Sequence, residues 1–257
     1  MTIVGRLWEK LVLHFAVRLM EQHRARHPDM AIVSGDYVSL KVMLQGRFEH
    51  QELAVLEKEV FPRLKTRNCC LDIGANIGNH SIVFSSHFEK VIALEPNPRV
   101  FDVLQLNARW NPKITPIQMG ASDHRHTVQA IVPRGNLGAA QIVESSSIKA
   151  GDQIRFECER VDNLIPLHEY GNIGFIKIDV EGYEFEALQG CESILKHAQP
   201  VLGFELLRQD HDKNADRIYQ YLKHLGYNRF FEITSAGMKP INAFKRKNHK
   251  MIIAMVS

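Results

Sequence analysis

The stretch Leu71–Asn79 (LDIGANIGN) constrains this chain more than any other: an apolar run ends in a glycine turn, and a helical pattern begins directly after it. A strand, a tight turn and a helix in that order form the unit of parallel sheets with flanking helices. Gly74 and Gly78 let the backbone turn sharply and approach a ligand closely. The first turn of the following helix offers unpaired N–H groups. Spacing narrows the ligand. A phosphate loop needs a lysine straight after its second glycine, where this chain has Asn79. A dinucleotide turn needs G-x-G-x-x-G, and only G-x-x-x-G is present. Asp72, at the junction of strand and turn, fits poorly beside a pyrophosphate and well beside a cation.

The strand ends that follow extend the pattern. Glu95, in VIALEPNP, lies 23 residues beyond Asp72, where a carboxylate can accept both hydroxyl protons of a ribose. Gly120-Ala121-Ser122-Asp123 ends the next run, and Asp123 can accept from an adenine amino group. Each acid alone could merely cap a helix. Acids at three successive strand ends describe a nucleoside that also carries positive charge. S-adenosylmethionine, with its sulfonium and ammonium groups, is such a molecule.

Apolar runs recur at Cys69–Ile73, Lys90–Leu94, Ile114–Met119, Phe175–Ile178, Pro200–Glu205, Arg229–Ile233 and Met251–Val256. Helical patterns lie between several of them, at His80–Phe88, Arg99–Trp110, Gly182–His197 and Ala215–Leu225. The alternation predicts an α/β fold: a mostly parallel sheet with helices on both faces. Tyr37–Leu44 alternates like a strand, and Glu49–Leu64 carries Leu53, Leu56, Val60 and Leu64 at helical spacing. The less regular stretch from His124 to Asn172 contains strand-like Val128–Val132 and Gln153–Glu157 around a Gly/Ala-rich loop and a serine patch. An insertion there would lie over the carboxyl edge of the sheet, where such folds bind ligands.

The 257 residues, 45% hydrophobic and 24% charged, suit one large α/β domain. We divide the chain into an N-terminal helical arm, residues 1–35, and a domain, residues 36–257. In the arm, Leu7, Trp8, Leu11, Phe15 and Leu19 recur at helical spacing, but Glu9, Lys10 and Arg18 interrupt the apolar run. That excludes a membrane-spanning helix or a cleaved signal. The stripe predicts docking on the domain or on a second subunit, as in a homo-oligomer. With Arg6, Lys10, Arg18, Arg24 and Arg26 it also allows peripheral contact with a membrane surface. Four cysteines, two of them adjacent (Cys69 and Cys70), fit neither a disulfide framework nor a zinc site. They predict a reducing, cytoplasmic setting, with any membrane contact on its inner face.

With Phe175–Glu184 (FIKIDVEGYE), these motifs resemble the FkbM-type methyltransferase family. The resemblance runs from about Gly46 to Leu206, and LDIGANIGNHS, EPNP, GASD and KIDVEGYE are its most specific parts. It implies a class I, Rossmann-like methyltransferase fold with a seven-stranded sheet whose last strand is antiparallel. It also implies O-methylation of a small-molecule or glycan acceptor, such as sugar hydroxyls or hydroxyls of macrolide-type products. Carried across by position, Asp72, Gly74, Asn76 and Gly78 hold the methionine portion, Glu95 the ribose, and Ser122 with Asp123 the adenine side. Ala75, Asn79, Pro96 and Asn97 lie in the same motifs and count among the cofactor contacts. Phe48 and Glu49, in GRFE, close over the cofactor.

A hydroxyl is a weak nucleophile until its proton is removed. Asp179 and Glu181, at the end of the fourth strand, would point the same way in an extended segment. Asp179 is the candidate base, its pKa raised by burial or by its neighbour. The same two carboxylates with Glu205 equally suit a magnesium ion. Glu181 could instead cap the helix that follows. His80 and His211 are secondary candidates for the base.

Three other readings are weaker. The cluster Phe244–Lys250 (FKRKNHK) invites an RNA acceptor, but it falls between two strands, where charge runs are usually solvated. No stacking aromatics are interleaved with it. With a net charge of only +3, nucleic acid is not demanded. A non-catalytic cofactor-binding protein conflicts with intact acids at all four strand ends, and a nicotinamide enzyme with the glycine spacing.

Overall fold

The computed structural model describes residues 3–22, 28–133, 135–138, 141–142, 152–206, 214–244 and 251–257. His211, residues 245–250 of the basic cluster, the serine patch, Arg24 and Arg26 lie outside them.

The chain opens with helix α1 (Ile3–Gln22), α2 (Tyr37–Gln45) and α3 (His50–Val55). The sheet then begins with β1 (Cys69–Ile73), followed by α4 (Asn79–Ser85), β2 (Lys90–Leu94), α5 (Pro98–Trp110) and β3 (Ile114–Ile117). Next come β4 (Gly120–Ala121), β5 (His126–Val132), β6 (Gln141–Ile142) and β7 (Asp152–Glu159). The remainder is α6 (Val161–Leu164), β8 (Ile173–Ile178), α7 (Glu184–Gly190), α8 (Glu192–Ala198), β9 (Val201–Glu205), α9 (Asn214–His224), β10 (Arg229–Thr234), β11 (Gly237–Ile241) and β12 (Met251–Met255).

The main sheet has eight strands in the order β11-β10-β12-β9-β8-β1-β2-β3. Seven of them reproduce the expected arrangement: β1, β2, β3, β8 and β9 pair in parallel, and β12 runs antiparallel between β9 and β10. The eighth, β11, is an addition at the edge, folded back on β10 as a hairpin. Its sequence GMKPI has no alternation and carries Pro240, tolerated because an edge strand need not donate on its outer side. Strands β1 and β8 are buried along their whole length, as expected of a sheet covered on both faces. One apolar layer (Leu188, Ile194, Ile218, Leu222) packs against one face and another (Leu53, Leu56, Phe84, Leu104) against the other.

Two elements depart from expectation. Tyr37–Gln45 is a helix, not a strand. Asp36 caps it by accepting the Ser39 N–H at 2.9 Å, and Gly46 ends it with φ +81°. Val38 and Val42 are buried four residues apart, so helical rather than alternating spacing governs the segment. The helix predicted over Gly182–His197 is two helices, broken near Cys191. A side chain at Gly190 would overlap the Ser122 carbonyl, so glycine lets α7 approach the end of β4 closely.

The irregular stretch after β3 forms a second sheet, β4-β7-β5-β6, around an antiparallel β5–β7 ladder. It lies over the carboxyl edge of the main sheet and supplies one wall of the pocket there. Helix α1 leaves Leu7 and Trp8 about two-thirds exposed, at 64% and 65%. Among the described residues, no helix is long and apolar enough to cross a membrane.

Candidate active site

A pocket of about 230 Å³ opens along the carboxyl ends of β1, β2, β4, β8 and β9. Of the residues singled out in the sequence, Phe48, Glu49, Gly74, Ala75, Asn76, Asn79, Glu95, Pro96, Ser122, Asp179, Glu181 and Glu205 line it, as does His80. Asp72, Gly78, Asn97 and Asp123 do not, and each has another occupation.

Asp72 is fully buried beneath the turn. Its Oδ2 accepts from Ser81 Oγ at 2.6 Å, and its Oδ1 faces Lys177 Nζ at 3.7 Å. The cation it serves is therefore one of the chain's own side chains. Gly78 starts α4 with φ +92° and packs on Leu104. Asn97 caps α5 by accepting from the Arg99 N–H, and its Nδ2 donates to the Leu137 carbonyl at 3.1 Å. Asp123 turns outward to His124 Nδ1, 2.7 Å away.

Glu95 is fixed at the pocket by two backbone donors. Its Oε2 accepts the Asn76 N–H at 3.0 Å and its Oε1 the Asn97 N–H at 2.8 Å. An ionised carboxylate has about four acceptor directions, so two backbone donors fix the group and leave two for a ligand. Burial raises its pKa to about 7, although the two N–H donors pull the other way. The turn before it is tightly built: a side chain at Gly74, where φ is +79°, would overlap the Asp179 carbonyl. Phe48 is tied to this turn through its backbone, which exchanges hydrogen bonds of 3.0 and 3.2 Å with the Asn79 amide.

The other end of the pocket is acidic around one buried cation. Lys177 Nζ, in a side chain 1% exposed, lies 3.1 Å from Asp179 Oδ2. Burial disfavours its charge, but Asp179 and Asp72 more than compensate, so its pKa is raised and it stays protonated. Glu181 does not continue the strand. β8 ends at Ile178, and Glu181 takes φ +53° with Gly182 at φ +102°. The side chains of Asp179 and Glu181 are thus not set by strand alternation, yet both reach the pocket. Although Glu181 is an exposed residue, desolvation of its carboxyl in the pocket first, and then the charge of Asp179, raise it to about 7. Glu181 does not cap the helix: α7 starts at Glu184 behind Tyr183 with no side-chain cap, and Glu184 accepts the Gly182 N–H of the preceding turn at 3.1 Å.

The grouping Asp179–Glu181–Glu205 expected for magnesium is not formed. Among the described residues, the carboxylates whose ligand atoms lie within 4.8 Å of one another are Glu49, Glu52 and Glu205. The turn at Glu181 separates it from the end of β9, while the first turn of α3 brings Glu52 there. Of the four described non-glycine residues with positive φ, three (Glu49, Asn76 and Glu181) line the pocket. Such backbone strain persists where surrounding structure enforces it, commonly at functional sites.

Sequence reasoning missed several wall residues: His126, Val128, Phe156 and Cys158 from the second sheet, Met119 beside it, and Lys177. A lysine inside the apolar run FIKI was the available signal, because a buried ammonium requires carboxylate partners.

The chain matches the Methyltransferase FkbM domain over residues 72–229. It is 28% identical over 134 residues to the hexuronic acid methyltransferase AglP of Haloferax volcanii. That match spans about half of each protein, 51% of this chain and 53% of the relative. Its fold is similar to the crystal structure of methyltransferase FkbM from Methylobacillus flagellatus KT, with a TM-score of 0.52 at 17% identity. The likeness covers 93% of this chain and 58% of that one.

Proposed function

Because the chain belongs to the methyltransferase FkbM domain family, we propose that it uses S-adenosylmethionine to methylate a hydroxyl oxygen, most plainly one on a sugar. The observation that carries the cofactor is Glu95, fixed by two backbone donors and open to the pocket. The residues present fit the nucleoside. Met119, Val128 and Phe156 supply apolar surface for a flat base, and the acids beyond Gly74 favour a cationic sulfur. When bound, the cofactor supplies an electrophilic methyl group: a C–O bond forms to the acceptor as the C–S bond breaks.

The chain's own residues then orient the acceptor and take its proton. Asp179 Oδ2 is held 3.1 Å from Lys177 Nζ. Tied to that ammonium, it is a fixed acceptor for a sugar hydroxyl. Glu181, raised to about 7, suits the proton transfer better, since a base works best when its pKa lies near the working pH. The sugar reading is supported by AglP, a hexuronic acid methyltransferase. The division into residues 1–35 and 36–257 belongs to the same proposal.

Calorimetry with S-adenosylmethionine and S-adenosylhomocysteine tests the cofactor. Mass spectrometry of uronic acid glycosides and neutral glycosides after incubation tests the acceptor. Cofactor binding without methyl transfer to either set would refute the sugar assignment, and absence of cofactor binding would refute both.

A further inference from the structure

Beside the Lys177 pair, three carboxylates and an imidazole converge without a satisfied set of partners. Glu49 and Glu52 come from the start of α3, Glu205 from the last position of β9, and His80 from the first turn of α4. One carboxylate oxygen from each glutamate lies within 4.8 Å of the others. Oε2 of Glu49 and Oε2 of Glu52 are both sealed from solvent and accept no hydrogen bond. His80, with a side chain 7% exposed, aims Nε2 into the same group. That nitrogen is 3.2 Å from Glu49 Oε2, and it also lacks a hydrogen-bond partner. Lys177, the nearby cation, is already shared between Asp179 and Asp72.

Buried polar atoms nearly always have partners, and several orphans facing one another mark a missing one. Protons are the competing solution. Burial, with Asp179 and Glu49 adding to it, pushes Glu205 up to about 10, and burial with Glu49 pushes Glu52 to about 7. Protonation relieves the charge, and a proton between His80 Nε2 and Glu49 Oε2 joins that pair, but Glu52 Oε2 still has no partner. A small dication satisfies all four groups at once. Carboxylate oxygens suit hard ions, and a single imidazole favours manganese within that class.

We propose that Glu49, Glu52, Glu205 and His80 hold one divalent cation of the magnesium and manganese class. Glu49, His80 and Glu205 also line the pocket, so the ion has an open side toward it. Use of that open side to hold an acceptor oxygen rests on the methyl-transfer reading above; the binding of the ion does not.

The test is titration of metal-stripped protein with manganese, followed by electron paramagnetic resonance of the free ion and by calorimetry. One ion per chain is expected, displaced by excess magnesium, with protons released on binding between pH 6 and 8. Glu52→Gln, which alters no pocket wall, is expected to weaken binding by at least about 10–100-fold, the range seen when supporting groups of metal sites are removed. The same change lowers repulsion in the metal-free protein, so the variant's unfolding temperature does not fall and lost binding cannot be mistaken for lost folding. The proposal is overturned if neither manganese nor magnesium binds, or if Glu52→Gln binds manganese as tightly as the parent. Methyl transfer is not the readout, so a wrong acceptor assignment leaves this result interpretable.

Discussion

Lys177 Nζ lies 3.1 Å from Asp179 Oδ2, joining the floor of the pocket to its wall through one buried ammonium. The same nitrogen is 3.7 Å from Asp72 Oδ1 beneath the glycine turn. Two strand ends are thereby locked by charge. Lys177→Met is expected to lower stability by about 3–5 kcal/mol, because it strands the fully buried Asp72 without a counter-charge. Adding Asp72→Asn to that variant should restore part of the loss. Urea unfolding of the two single variants and the double variant measures this, and additive losses would disprove the coupling.

Glu95 is expected to govern cofactor affinity. Glu95→Gln keeps the shape but turns an amide NH₂ toward either the Asn76 or the Asn97 N–H. Loss of charged hydrogen bonds of about 1.5–3 kcal/mol corresponds to a Kd for S-adenosylmethionine raised roughly 10–100-fold. Calorimetry checks it. An unchanged Kd would remove Glu95 from the cofactor site.

Affinity for that cation should depend on pH in a stated direction. Glu95 and Glu181 both rise to about 7 in the free protein, so below neutrality they hold protons. A positive ligand favours their ionised forms, so binding should weaken as pH falls from 8 to 6 and release protons at neutral pH. Calorimetry in buffers of different ionisation enthalpy reads the proton release directly.

Glu181→Gln should separate chemistry from binding. A general base contributes on the order of 10²–10⁴ in rate. The variant is expected to lose turnover on that scale with cofactor Kd within several-fold. Asp179→Asn should instead raise the acceptor KM together with a fall in kcat, since it removes a fixed hydroxyl acceptor. Near-normal kcat in Glu181→Gln would return the role of base to Asp179.

Glu52 carries a stability prediction with its own sign. Its folded pKa, about 7, lies above the ordinary 4.5, so the folded chain binds the extra proton. The advantage of the protonated form is present below pH 4.5 and is lost as pH rises toward 7. Above that, the ionised group opposes folding by up to about 3 kcal/mol. Glu52→Gln in metal-free protein should therefore gain more, relative to the parent, at pH 8 than at pH 5. Thermal unfolding at both values decides it.

How much was legible follows from the range over which each signal acts. The runs around Cys69–Ile73 and Lys90–Leu94 matched β1 and β2 because a strand buried on both faces needs continuous apolar sequence. Tyr37–Leu44 alternates as a strand would, yet its apolar residues fit the helical period as well. Asp36 and Gly46, the residues that choose between them, stand outside the run. Strand β11 had no pattern of its own and exists through pairing with β10.

The sequence by itself determined the alternation of strand and helix, the glycine turn and the presence of acids at the strand ends. Those depend on hydrophobic period and backbone freedom, which neighbouring residues dictate. Only the tertiary structure decided what each acid does. Glu95 meets two N–H groups and faces the pocket, whereas Asp72 meets Lys177 and faces away. Glu205 gathers with Glu49 and Glu52 rather than with Asp179 and Glu181. A carboxylate's role is set by the charges and donors within a few ångströms of it, and these come from chain segments distant in sequence.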